Sequence, residues 1–231
     1  MRPLVISHAA CGGHAPENTL AGIRTALSFG VDAIEIDVQS SVDGVPVLMH
    51  DLTVDRTTNG SGAVAELTLD QLRTLDAGGE PPPTLAEVLE LTVGTALLVI
   101  EIKQLDIEEQ IADVIRDSAA LDDAMVWSFF RRAMEGMRKA EPRIPGGLLI
   151  AAEFMPKWPA IRERALRTDL QAVSVFHLGI DEEIVRSCRR SGLALYAWTA
   201  DSRKDIARLI DIGVDGICSN YPDKVVGLLP Q

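Results

Sequence analysis

Basic residues are in short supply. The 231-residue chain sets 22 lysines and arginines against 34 aspartates and glutamates, a formal net charge of −12. That balance argues against nucleic-acid binding, which usually needs a basic face. It also disfavours long-range attraction of an anionic substrate, which would need a local positive centre. Cysteine is scarce too. Cys11, Cys188 and Cys218 show no metal or redox spacing, and their odd number suits a reducing compartment; a cytoplasmic location is expected. No apolar run approaches the length of a membrane span, and the stretch after Met1-Arg2-Pro3 is too short for a signal peptide. Aromatic residues make up only 4% of the chain and histidines number four, so the position of each one carries weight.

Strand-like and helix-like stretches are plentiful and alternate. Strands are expected at 4–8, 33–38, 97–102, 124–129, 146–150, 172–176, 194–198 and 215–218. Amphipathic stretches lie between most of them. Asn18 is placed to cap a helix bearing Leu20, Ile23 and Leu27; Thr84 and Glu87 form a capping-box pattern; Asp201 or Ser202 can cap a helix ending at Gly213. Eight strands alternating with helices predict a (β/α)₈ TIM barrel, and residues 1–231 read as one catalytic domain of that class. The competing architecture is a doubly wound sheet. It would want a glycine-rich phosphate loop after the first strand, of which Gly12-Gly13 is only a weak echo.

The rhythm breaks once, over residues 39–83. This interval reads as a hairpin, a polar loop at 57–62 and a short helix with its own capping box, Thr68 and Gln71: a small insertion after strand two. Asp43-Gly44 suggests a two-residue turn. With Val42 opposite Val45, Asp37 would face His50 across the hairpin, bringing histidine to carboxylate by strand pairing alone.

Polar residues sit where apolar strands should exclude them. Glu35 and Asp37 alternate along the second strand, and Glu101 and Lys103 along the next, so each pair shares a face. Buried carboxylates are costly unless they are paired or hold a metal. Glu35, Asp37 and Glu101 are therefore candidate ligands for one divalent cation, Mg²⁺ or Ca²⁺, with Mn²⁺ possible, because hard oxygen donors select hard ions. Zinc would more usually bring histidine or cysteine. His8 follows the first strand and His50 ends the hairpin, both at the predicted barrel mouth, where imidazoles suit acid and base roles. Lys103 can offset the carboxylates or hold a substrate anion. Trp198 and Phe129, at the ends of later strands, are candidates for a substrate wall. His14 and His177 fall in loops and are read as surface or packing residues.

These residues belong to a pattern. The chain resembles the glycerophosphodiester phosphodiesterases through His8, Ala15-Pro-Glu-Asn-Thr-Leu20, Glu35-Ile-Asp-Val38, Asp43-Gly-Val-Pro-Val47, His50-Asp51, Asp55-Arg-Thr-Thr-Asn-Gly60, Pro83-Thr-Leu85, Glu101-Ile-Lys103, Ala197-Trp-Thr199 and Gly213-Val-Asp-Gly216. Each piece is weak alone, but their order spans nearly the whole chain. The resemblance implies a (β/α)₈ barrel and a metal-dependent hydrolysis of small-molecule glycerophosphodiesters. It implies a divalent ion held at Glu35, Asp37 and Glu101, with His8 and His50 as general acid and base. A glycerol hydroxyl would attack phosphorus and expel the alcohol, and water would then open the cyclic phosphate to glycerol 3-phosphate.

One departure stands out. Where the family has His-Arg-Gly, this chain has His8-Ala9-Ala10, and alanine cannot make the arginine's bidentate phosphate contact. Two other readings therefore compete: a weakly active or non-catalytic barrel that binds phosphorylated metabolites, and a lyase-type relative that cleaves phospholipid headgroups. A metal-dependent aldolase or isomerase would explain the carboxylates but not the paired histidines.

Overall fold

Residues 2–229 are described by the computed structural model; Met1, Pro230 and Gln231, the ends of the expected 1–231 domain, lie outside the described residues. Nine strands are found among them: β1 (Leu4–Ser7), β2 (Ala33–Ser40), β3 (Pro46–Leu48), β4 (Leu97–Ile102), β5 (Ala124–Ser128), β6 (Gly146–Ile150), β7 (Ala172–Phe176), β8 (Ala194–Trp198) and β9 (Gly216–Ser219). Eight pair in parallel in the order β1-β9-β8-β7-β6-β5-β4-β2, and β1 also pairs with β2, so the sheet closes. This is a (β/α)₈ TIM barrel. The ninth strand, β3, lies antiparallel on the far end of β2.

Helices separate the strands: α1 (Leu20–Ser28), α2 (Leu69–Leu72), α3 (Leu85–Thr92), α4 (Glu108–Asp117), α5 (Arg131–Ala140), α6 (Trp158–Arg167), α7 (Glu182–Ser191), α8 (Arg203–Ile212) and α9 (Pro222–Val226). Five of these helices, α1, α2, α3, α7 and α8, start at a side-chain cap. Thr68 and Thr84 each accept from the third backbone N–H of their helix, while Gln71 and Glu87 reach back to close the box. The cap of α1 is Thr19, not Asn18, and the cap of α8 is Ser202, with Gly213 left-handed at its end.

Period-two alternation divides the buried residues into two layers. One side of β2 gives Ile34, Ile36 and Val38 to the layer between barrel and helices, a cluster shared with Ile100, Ile102, Val126 and Val173. Burying each such side chain contributes about 1.5–3 kcal/mol. The barrel's own interior holds Ile6, Val99, Trp127, Leu149, Tyr196 and Cys218. Between β2 and β4, Val47, Met49, Val54, Val64 and Leu72 form a separate small cluster.

The hairpin register differs from expectation by one residue. Val38 pairs with Leu48, Gln39 with Val47 and Ser40 with Pro46. Ser41 N–H donates to the Val45 carbonyl and Gly44 N–H to the Ser41 carbonyl, so the loop has three residues and Gly44, at φ +82°, closes it. A left-handed glycine after a turn is the usual third residue of such a loop. Met49, not His50, therefore lies across from Asp37, and its N–H donates to the Asp37 carbonyl at 3.0 Å.

Candidate active site

Parallel pairing of β2 and β4 sets Asp37 beside Glu101, with Glu35 two residues earlier on the same face. The carboxylates of Glu35, Asp37 and Glu101 each offer an oxygen within 4.8 Å of the others, and all three are buried. Burial, then the charges of Asp37 and Glu101, holds the Glu35 carboxyl well above the ordinary glutamate range. Burial and Asp37 push Glu101 up to about 7. Lys103 supplies one compensating charge, its Nζ lying 2.8 Å from Glu101 and 3.5 Å from Asp37. Burial alone would lower the Lys103 pKa, but the facing carboxylates of Asp37 and Glu101 raise it. One ammonium against three buried carboxylates leaves a surplus of negative charge. A hard divalent cation with oxygen ligands fits that surplus.

Two histidines face the same cleft from different loops, and each is gripped through Nδ1. His8 Nδ1 lies 2.8 Å from Asn220 Oδ1. Asn220 Nδ2 donates to Asp201 Oδ2 at 2.8 Å and its backbone N–H to Asp201 Oδ1 at 2.9 Å. The amide can therefore offer His8 only its oxygen, which puts the ring proton on Nδ1 and leaves Nε2 toward Glu35, 3.9 Å from its Oε2. His50 Nδ1 lies 2.6 Å from Asp51 Oδ1. Asp51 is held at about 2 by Arg56 and by His50 itself, so it stays ionised and orients the ring.

His50 and Phe129 join His8, Glu35, Glu101, Lys103 and Trp198 around a cleft of about 70 Å³. Trp198 is fixed by donation from Nε1 to the Ser174 carbonyl and meets Phe129 and Phe176 edge to face at 5.3 and 5.4 Å. Cys218 lies in the cleft floor, buried. His14 and His177 lie away from it. His14 Nε2 is 2.6 Å from Asp223, and His177 packs against Phe176.

Several residues hold this geometry in roles that sequence pattern alone does not reveal. Asn18, left-handed at φ +56°, clamps Asp37 twice: its Nδ2 donates to Asp37 Oδ2 at 2.8 Å, and its Oδ1 accepts from the Asp37 N–H at 3.0 Å. Gln39 shares the face of Glu35 and Asp37, and its Nε2 donates to the carbonyls of Met49 and Asp51, which pins the segment carrying His50. Ala9 and Ala10 are both left-handed, and their N–H groups donate to the side chain and carbonyl of Glu35 at 2.9 and 2.7 Å. Arg56 is committed to Asp51 and Glu17. It buttresses His50 and does not replace the missing arginine beside His8.

The sequence profile of the glycerophosphoryl diester phosphodiesterase family matches residues 8–224. The chain belongs to this family. It is 37% identical to a glycerophosphodiester phosphodiesterase of Caldanaerobacter subterraneus, over 99% of this chain and 98% of that one. Against a Bacillus subtilis glycerophosphodiester phosphodiesterase it is 30% identical over 96% and 85%. Among solved structures, an Oleispira antarctica phosphodiesterase in complex with its product sn-glycerol-3-phosphate aligns with a TM-score of 0.88 and 29% identity, covering 98% of this chain and 96% of that one. A glycerophosphodiester phosphodiesterase from Agrobacterium tumefaciens gives 0.85 and 27%, covering 97% and 99%. Members of the family are phosphoric diester hydrolases, and the cleft at the barrel mouth is read on that footing.

Proposed function

We propose that this phosphodiesterase hydrolyses glycerophosphodiesters to glycerol 3-phosphate and an alcohol, with one divalent cation, Mg²⁺ or Ca²⁺ and Mn²⁺ as a third candidate, and two histidines as proton carriers. The observation that carries the reading is the convergence of three buried carboxylates and two Nδ1-anchored imidazoles on one cleft. Glu35, Asp37 and Glu101 would hold the cation, which would offset negative charge on the phosphoryl oxygens. Lys103 adds a fixed positive charge beside them. The 2-hydroxyl of the glycerol attacks phosphorus, the P–O bond to the alcohol breaks, and a cyclic phosphate forms. One imidazole, through Nε2, accepts the hydroxyl proton; the other protonates the departing alcohol oxygen. Water then adds to phosphorus and opens the ring, with the two proton roles exchanged. An internal nucleophile gains effective concentration, and no serine or cysteine nucleophile is required. Trp198 and Phe129 flank the substrate and narrow the cleft.

Residues 1–231 act as one catalytic domain in this reading, with 39–83 as the insertion that brings His50 to the barrel mouth. Three buried, unpaired cysteines support a cytoplasmic setting. No helix among the described residues is long and apolar enough to cross a membrane.

Release of glycerol 3-phosphate from glycerophosphocholine or glycerophosphoethanolamine, abolished by EDTA, is the expected result. His8→Ala and His50→Ala should each lower kcat by about 10²-fold or more. Full activity in both variants would sink the mechanism. One observation favours a second reading, binding without turnover: Ala9 offers no guanidinium and Arg56 is engaged elsewhere. An Ala9→Arg variant decides how much this costs. A lost donor to a charged group is worth about 1.5–3 kcal/mol, so restored contact should raise kcat/KM by about tenfold or more.

A further inference from the structure

Two segments of the family pattern, Ala15-Pro-Glu-Asn-Thr-Leu20 and Asp55-Arg-Thr-Thr-Asn-Gly60, contain no residue used in the proposed reaction, yet they meet at Glu17 and Arg56. This is the only ion pair among the described residues that joins the loop between β1 and α1 to the insertion. The guanidinium uses two edges. Its Nε and Nη2 donate to Asp51 Oδ2 and Oδ1 at 2.6 and 3.2 Å, and its Nη1 and Nη2 donate to Glu17 Oε2 and Oε1 at 3.0 and 2.6 Å. The Asp51 oxygen that meets Nη2 is the one that lies 2.6 Å from His50 Nδ1. A continuous path therefore runs from the His50 ring through Asp51 Oδ1 and Arg56 Nη2 to Glu17 Oε1. Glu17 is in turn knit to the His8 end of its own loop. The N–H of the next residue, Asn18, donates to the Ala9 carbonyl at 3.0 Å, and the Gly12 N–H donates to the His8 carbonyl at 3.1 Å. The Asn18 side chain clamps Asp37.

We infer that Glu17 is a positioning residue of the reaction: through Arg56 and Asp51 it fastens the loop that carries His8 to the segment that carries His50, and so fixes the two imidazoles relative to each other. The inference rests on the two-histidine reading of the cleft. Its physical basis is the geometry of the guanidinium, a planar fork that a carboxylate on each edge holds against rotation. With Glu17 gone, Arg56 is held on the Asp51 edge alone. Its side chain is half exposed, so it can pivot and carry Asp51 Oδ1 away from the His50 ring. Isolated exposed ion pairs add little to stability, and bidentate networks are the exception. Glu17 is 29% exposed and Asp51 33%, so the contact is placed to orient more than to stabilise. Asp51, ionised, only accepts, so the His50 ring proton lies on Nδ1 while the brace holds. An acid and a base that act on one phosphorus must keep their spacing, since small displacements of reacting groups are costly in rate.

The test is Glu17→Gln in the full chain, with glycerophosphocholine as substrate. It should lower kcat by about three- to tenfold with KM nearly unchanged. Its melting temperature should move no further than that of Glu182→Gln, which opens an exposed Arg186 pair on α7 and should leave kcat alone. In a His50→Ala background the Glu17 substitution should change residual turnover no further, because the brace then has no ring to hold. Ring ¹⁵N shifts of His50 should show one tautomer in the parent and a mixture in Glu17→Gln. Arg56→Lys, whose single ammonium cannot fork to both carboxylates, should repeat the loss of kcat and carries every readout if Glu17→Gln does not fold. Unchanged kcat in Glu17→Gln, a loss that multiplies in full with that of His50→Ala, or an unaltered His50 ring would overturn the positioning role and leave the diesterase reading standing. Absence of diester turnover in the parent chain would overturn both.

Discussion

Glu35 and Glu101 couple protons, metal and stability at a single cluster. In the metal-free chain both carboxyls sit above their ordinary value near 4.5, Glu101 at about 7. A carboxyl raised in the folded state contributes stability fully below its unfolded pKa, and that contribution is lost as pH rises through the folded value. The metal-free protein should therefore lose thermal stability as pH rises from about 4.5 to about 7, and saturating Mg²⁺ or Ca²⁺ should flatten the slope by neutralising the cluster. Melting curves across this range, with and without the ion, check the sign. A slope indifferent to the ion would remove these residues as the metal site. The histidine grips make a separate prediction. Asn220→Ala deletes the acceptor for His8 Nδ1, and the loss of one orienting bond, about 0.5–1.5 kcal/mol, should lower kcat up to about tenfold with little change in KM. Ring ¹⁵N shifts of His8 should report a mixed tautomer in the variant and a single one in the parent.

At the scale of elements, the loops after β1 and β9 are fitted to each other at Gly13. A Cβ there would lie 2.4 Å from the Asn220 carbonyl oxygen and 2.7 Å from the Tyr221 ring. Gly13→Ala must separate these loops, and with them His8 from Asn220. It should cost about 1–3 kcal/mol of stability and lower kcat as Asn220→Ala does. Circular dichroism melts and steady-state kinetics measure the two effects independently. Contacts of this kind explain which parts of the site can be read along the chain. Strands β2 and β4 announce themselves because Glu35, Asp37, Glu101 and Lys103 interrupt apolar runs at alternate positions, and charges buried that way must pair with one another or bind an ion. The capping boxes at Thr68 and Thr84 are equally local and equally legible. The hairpin register is less so: Asp43-Gly44 fits a two-residue turn as well as the observed three-residue loop, and that single residue decides whether His50 or Met49 faces Asp37. His50 reaches the cleft by another route, through a segment pinned by Gln39. The chain Asp201–Asn220–His8 joins residues more than 200 positions apart and leaves no periodicity to find. Asn18 and Asp201 are credible caps because the same short polar side chains cap helices and clamp carboxylates or amides; only the fold selects between those uses.

For the molecule as a whole, net charge and local charge act in opposite directions on the substrate. With 34 acidic against 22 basic residues, the long-range field repels a phosphodiester, while Lys103, and the cation proposed for the carboxylate cluster, would attract it only at short range. Salt screens the first effect far more than the second, since the Debye length near 0.1 M is about 10 Å and the cleft charges lie well within it. Raising ionic strength from about 10 mM to about 150 mM should therefore increase kcat/KM for an anionic diester such as glycerophosphoglycerol, by up to severalfold, through faster encounter. Glycerophosphocholine, a zwitterion with no net charge, should respond much less. Measuring both substrates across one salt series separates encounter from chemistry, because a salt effect on the catalytic step would move the two together. A fall in kcat/KM for the anionic substrate would mean that cations near the cleft, Lys103 first among them, outweigh the overall charge at the distance where encounter is decided.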